Sequence, residues 1–375
     1  MKERDELLDW VRGGSALFVL AAHLRGFLFV DFAALSDPSF GARAFYLLTT
    51  LHHEAVMVFF VLSGYFVGGA VLRAVNGGGM SWKAYAVARL TRLWVVLLPA
   101  MLLTLLCDRI GMHFAPGAYA GGFHALWQSG PTPLAGGDYG VTAFAGNTFF
   151  LQTITTPVFG TNGPLWSLAY EFWYYVLFPL IVVAARKARQ RETGAALLYF
   201  LLVSGLIVWL PEELLAKGLI WLMGVGVAAW RDRFGRLNLR EAWQRWLVTG
   251  GALLFLAALA WAKLRPGYEM DFLVGGIFAL WMLVLPARQT FLRFLEPVGK
   301  FLAEISYTLY VTHFPLLFFL SAVVMKGKQF DSIGSGAGVY TVFLFAALLL
   351  ATLFWWAFER RTEAVRRAVD NRSAA

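Results

Sequence analysis

Of the chain's 375 residues, 59% are apolar and only 15% charged, with a mean hydropathy of +0.63. A soluble domain carries about a quarter charged residues, so the composition excludes a soluble enzyme and implies a polytopic membrane protein. The net charge of +9 calls for either an anionic partner or an asymmetric topology, while the single cysteine, Cys107, excludes an internal disulfide framework and a multi-thiolate metal site.

The first apolar segment runs from Leu8 to Val30, too long for a cleavable signal and interrupted by Arg12, His23 and Arg25. Arg12 and His23 are eleven residues apart, which is three helical turns plus about 20°, so both leave the same helix face roughly 16 Å apart along the axis. Each would cost several kcal/mol in hydrocarbon, and the pair is expected to face the bundle interior or a wet cavity. A snorkelling Arg12 with a hydrogen-bonded interior His23 is the plainer alternative. Nine further segments can cross, or nearly cross, ~30 Å of hydrocarbon. They are Ala55 to Leu72, Tyr85 to Leu106, Pro164 to Ala185, Ala195 to Leu210, Leu214 to Trp230, Trp246 to Trp261, Tyr268 to Leu285, Phe301 to Val324 and Val339 to Phe358.

His52, His53 and Glu54 open the second segment, and Ser63 and Gly64 lie near its middle. Small residues there, with Gly68 and Gly69, favour close helix approach over chemistry. Arg89 and Arg92 open the third segment within one turn of each other. They suit either charge anchoring or a phosphorylated ligand, because both can face one pocket. An outer loop, about 107–163, follows; its glycines, prolines and aromatics suit a lid or an acceptor surface, with Thr142 to Gly160 as a re-entrant or interfacial element. The fourth segment carries Glu171 about two turns in, where a carboxylate needs a partner. The ninth places Tyr310 and His313 on one face, beside the hydroxyls of Ser306 and Tyr307. Glu359, next to Arg360 and Arg361 at the end of the tenth, reads as a surface ion pair. His113 and His124 lack metal-ligand spacing, and no metal is expected.

Charge asymmetry tests this count. Twenty-three Lys and Arg residues fall on the side assigned to the cytoplasm, from Lys2 and Arg4 to Arg372, against seven on the other. That bias places both termini in the cytoplasm and explains the net charge without a nucleic-acid partner. The expected fold is an all-α polytopic helical bundle of about ten transmembrane helices, one domain over 1–375 with a short cytoplasmic tail at about 360–375. Intramembrane His, Glu and Arg also build proton-coupled transporters. Those commonly show paired halves, and none is visible here.

Six motifs occur in order along nearly the whole chain: Arg12 with His23 as R-x10-H, FFVLSGY at Phe59 to Tyr65, and Arg89 with Arg92. GNTFFLQ at Gly146 to Gln152, LWSLAYEFWYYVLFPL at Leu165 to Leu180 and ISYTLYVTHFP at Ile305 to Pro315 complete the set. In these the chain resembles acyltransferase family 3, polytopic membrane proteins that O-acylate cell-envelope carbohydrates and some small molecules. It departs from the family at Asp9-Trp10, where Asp-Gly is usual, and at Pro99, which comes late after the arginines. The resemblance implies a multi-pass protein of the bacterial inner membrane that moves an acyl group, expected to be acetyl, from cytoplasmic acyl-CoA to a hydroxyl of a carbohydrate or glycan acceptor. It implies His23 as general base and Arg12 holding the donor's phosphates or polarising its carbonyl. Glu171 would orient His23 or bind the acceptor, and Arg89 and Arg92 would contact the CoA phosphates. Ser63, Tyr310 and His313 join the substrate-binding set, and a covalent acyl-His route stays open.

Overall fold

The computed structural model describes residues 5–122, 124, 137–235, 237, 240–265, 267–285 and 295–372. Lys2, Arg4, Arg236, Arg288 and Arg293 of the charge count, and most of the outer-loop stretch 123–136, lie outside the described residues. The described chain is all-helical, 82% helix without strands, and each of the ten apolar segments is helical. We label the elements α1 (Glu6–Leu28), α2 (Phe40–Leu48), α3 (His52–Ser63), α4 (Gly69–Asn76), α5 (Trp82–Phe114), α6 (Val141–Thr148) and α7 (Leu165–Arg189). Then follow α8 (Thr193–Trp209), α9 (Glu212–Phe234), α10 (Glu241–Leu264), α11 (Tyr268–Val284), α12 (Glu296–Phe319), α13 (Ile333–Ala357) and α14 (Thr362–Arg372). Among the described residues, eight helical stretches are long and apolar enough to cross a membrane. The 17-residue α8 and α11 reach about 25 Å at 1.5 Å per residue.

One expectation needs adjusting. The third span continues to Phe114, because nothing breaks the helix before Pro116 restricts Ala115; the outer loop therefore starts later than 107, and Cys107, Asp108 and His113 are helical. The tail is an amphipathic helix, α14, after a single 3-10 turn. The stretch after Thr142 contains only the eight-residue α6, about 12 Å long, followed by turns, so it cannot span.

The chain forms two compact units: 1–12, 54–82 and 170–300 in one, and 13–53, 83–169 and 301–375 in the other. In the first, α9 meets the α3–α4 region at backbone distance. A Cβ on Gly64 would collide with the Trp221 carbonyl, and one on Gly224 with that of Val61. Gly64 opens a π-helical turn, Gly64–Gly68. The expectation that Gly64, Gly68 and Gly69 serve helix approach is met, since a Cβ on each would collide with α9 at Trp221, Val225 or Ala228. Among its described residues the same unit pairs several buried charges. Arg231 bonds the Tyr65 hydroxyl at 2.9 Å and the Met282 carbonyl, with Asp5 at 3.7 Å. Lys217 pairs with Glu213 and lies 4.0 Å from Asp271, and Lys263 meets Glu54 at 2.8 Å.

In the second unit, α12 is fastened on several sides. Pro315 lacks an N–H, so the Val311 carbonyl four residues earlier has no helical donor. The buried Asn162 amide supplies one at 2.9 Å and also bonds Thr104 at 3.2 Å. Asp108, buried on α5, accepts from the backbone N–H and hydroxyl of Thr161 at 2.9 and 2.8 Å. Asn147 caps the turn after α6, donating to Ala143 and Pro157 carbonyls and accepting from Phe159 N–H. In the turns that follow α6, Phe150 and Thr153 donate their N–H groups to the Asn147 and Thr156 carbonyls and adopt left-handed backbone (φ 59° and 63°), conformations that cost on the order of 1–3 kcal/mol. Burial, with Asp108 nearby, raises the Tyr139 phenol above its usual range and keeps it protonated.

Candidate active site

His23 and His313 meet in the second unit. Apolar residues on either side of His23 (Leu20, Leu24, Phe27, Leu28) are buried, which sets that face of α1 against α12. The Nδ1 of His23 lies 2.8 Å from Nε2 of His313, with the two ring planes only 10° apart. His313 is 1% exposed, and its Nδ1 sits 2.8 Å from the Leu309 carbonyl. Phe314 presents its edge to the His23 ring at 5.1 Å, and His52, at the start of α3, lies 5.2 Å from it on another side. His23 is half-buried. Among the described residues no group of three His, Cys, Asp or Glu side chains is arranged to hold a metal ion.

One turn before His313, Tyr310 and Ser167 share a hydrogen bond of 2.6 Å, and Tyr310 also donates to the Pro164 carbonyl at 3.1 Å. This joins the start of α7 to α12. Farther along α12, Thr308 gives both its N–H and its hydroxyl to Glu359, which also pairs with Arg92. Arg92 lies over the Tyr307 ring, 5.3 Å from its centroid. Glu359 is 5% exposed. The expected surface ion pair with Arg360 and Arg361 is therefore replaced by a buried three-donor anchor. Glu359 leaves α13 through the 3-10 turn after Phe358, which aims it inward. Arg89 is half-buried, with its guanidinium 5.8 Å from the Tyr85 ring.

The first unit holds the other polar candidates. Trp221 donates to Ser63 Oγ at 3.1 Å, Ser63 lies 3.1 Å from the Tyr175 hydroxyl, and Tyr175 donates to Glu171. An indole only donates and an ionised carboxylate only accepts. The hydroxyl protons therefore point one way, from Ser63 to Tyr175 to Glu171, and Ser63 is a link in that chain. Arg12, half-buried, belongs to the first unit, eleven residues before His23 on the same helix.

The sequence singled out both histidines of the pair, and offered Glu171 either to orient His23 or to bind the acceptor. The hydrogen bond of His23 goes to His313, and that of Glu171 goes to Tyr175. Asp108, Asn162 and Thr308 were not singled out. Two of them had a signal: Asp108 is an acid within an apolar run, and Asn162 is an amide beside a Gly-Pro turn in a chain where Pro315 strips a donor from the Val311 carbonyl; Thr308 had none.

A family sequence model described as an acyltransferase domain matches residues 5–359. Comparison with curated proteins and with solved structures found no match.

Proposed function

The chain belongs to the acyltransferase 3 family, and from that premise we propose that it moves an acyl group, acetyl first among candidates, from cytoplasmic acyl-CoA to a hydroxyl of a cell-envelope carbohydrate. His23 is the general base. The acceptor oxygen attacks the thioester carbonyl while its proton passes to His23; the tetrahedral intermediate collapses, the C–S bond breaks, and the imidazolium returns the proton to the departing CoA sulfur. Ester and free thiol are the only products. The observation that carries this assignment is the His23–His313 contact at 2.8 Å, since a base is useful only when a second group fixes its ring.

The donor end falls to arginines. Arg12 takes donor phosphate or the thioester carbonyl, and Arg89 a phosphate; charge-assisted contacts are the strong ones for such groups. Arg92 shares its guanidinium between Glu359 and any phosphate. Glu171, fed by the Ser63–Tyr175 chain, binds acceptor hydroxyls, with Tyr310 near the base. The bilayer, acyl-CoA and a glycan are the partners, in the bacterial inner membrane.

The test is O-acetyl analysis of envelope carbohydrate from a deletion strain carrying wild type or His23→Ala, together with loss of acetyl-CoA thioester by each purified protein supplied with that carbohydrate. Transfer by the wild type and none by the variant, at equal expression, supports the proposal. Retained transfer by His23→Ala removes His23 as base, and a wild type that never consumes the thioester removes the transferase assignment.

A further inference from the structure

The two histidines are bonded in a way that determines where each proton sits. His313 Nδ1 faces the Leu309 carbonyl at 2.8 Å. A carbonyl oxygen can only accept, so His313 Nδ1 carries a hydrogen. A neutral imidazole has one N–H, which leaves His313 Nε2 as a bare lone pair. That lone pair lies 2.8 Å from His23 Nδ1, so His23 Nδ1 is the donor. The hydrogen of His23 is then used up, and its Nε2 is the basic atom. Among the described residues His23 Nε2 has no hydrogen-bond partner, and the His23 residue is only half-buried.

The alternative, a doubly protonated His313, would put a cation at a site 1% exposed. The ionisable groups acting on His23 are His313 and His52, both imidazoles. With no carboxylate among them to offset it, a resting charge on the buried His313 is strongly disfavoured. The chain carbonyl(309)–His313–His23 therefore has a fixed direction, and it is set by a helix backbone. This is the orienting task that a buried acid performs in other base-assisted sites, carried out here without placing a charge in the membrane.

We propose that His313 is a positioning residue, which locks His23 in the Nδ1–H tautomer and thereby presents Nε2 as the base. This rests on the assignment of His23 as the general base, but the tautomer itself is measurable without any reaction. Without His313 the imidazole reverts toward the Nε2–H form preferred by a free side chain, and the lone pair moves to the wrong edge of the ring.

The chain has six histidines, so 15N-histidine labelling of the full-length protein in nanodiscs, assigned with a His23→Gln variant, reads the tautomer of His23 directly. His313→Gln puts an amide oxygen where it can accept from His23 Nδ1. His313→Asn keeps a donor for the Leu309 carbonyl but offers His23 no acceptor. The expected result is Nδ1–H on His23 in wild type and His313→Gln, with kcat for acetyl transfer within about tenfold. His313→Asn shifts the tautomer and loses kcat by roughly 10²–10⁴, the scale of a wrong-tautomer defect elsewhere, at near-constant donor KM.

A wild-type His23 bare at Nδ1 overturns the proposal. So does a His313→Asn protein with wild-type kcat, or a His313→Gln protein that keeps the tautomer yet is as inactive as Asn. If one variant fails to fold, the wild-type spectrum and the other variant still decide. The expected tautomer together with an active His23→Ala protein would remove the general-base assignment alone and leave the lock standing.

Discussion

Glu359→Ala offers the sharpest check on the packing of the second unit. The side chain accepts from Arg92 and twice from Thr308, with its own side chain 4% exposed and that of Arg92 34% exposed. Hydrogen bonds to a charged group contribute about 1.5–3 kcal/mol each, but these three share one carboxylate and cannot be summed. Removing one partner of a buried ion pair costs about 3–5 kcal/mol. Arg92 retains a third of its exposure and can rehydrate, which brings the expectation to roughly 2–4 kcal/mol. Unfolding free energies in mixed detergent micelles, for Glu359→Ala, Arg92→Ala and the double variant, measure both the loss and the coupling, expected at about 1–3 kcal/mol. Arg366→Ala breaks the exposed Glu363–Arg366 pair and serves as the comparison, at under ~0.5 kcal/mol. A Glu359→Ala loss no larger than that of Arg366→Ala would refute the buried-anchor argument.

Gly64→Ala should impair folding severely, by ~3 kcal/mol or more, because the obstacle is the Trp221 backbone and cannot swing away. Gly226→Ala, with open space at its Cβ, should be neutral or stabilising by up to ~1 kcal/mol, and equal thermal stability of the two variants would contradict the close approach. Asn162→Leu should cost about 1–3 kcal/mol by orphaning the Val311 carbonyl. Adding Pro315→Ala, which restores an N–H four residues on, should recover part of that loss, whereas strict additivity would exclude the proline explanation. At the donor end, Arg12→Ala should weaken CoA binding roughly ten- to hundred-fold, as loss of a charge-assisted contact of ~1.5–3 kcal/mol implies, while His23→Ala binds CoA as wild type does. Equal CoA affinity for Arg12→Ala and wild type would return Arg12 to an interfacial role. Reporter fusions after Arg191 and Arg245 should give cytoplasmic signals and one at Lys328 an external signal; inversion of any would break the charge-bias topology.

Apolar run length and period carry over the whole chain, which is why all ten segments could be read as helices before any contact was known. A helix closes its backbone bonds within itself, and in hydrocarbon that requirement leaves almost no other choice. The same locality made His23 and Arg12 visible, since their spacing along one helix is arithmetic. It also made the small-residue role of Gly64 visible, because Cβ-less positions in an apolar helix have few other uses. What no local rule could supply is which distant residue completes each polar group. His23 lies 290 positions from His313, and Arg92 lies 267 from Glu359. Glu359 looked like a surface acid because its sequence neighbours are arginines, yet the turn after α13 carries it inward to Thr308. Asn162 gave no sign that it serves a carbonyl 149 residues away, although Pro315 had already announced that the carbonyl would lack a donor. Helices are determined by their own residues; a buried polar site is determined by whichever partners the packing of those helices brings within 3 Å.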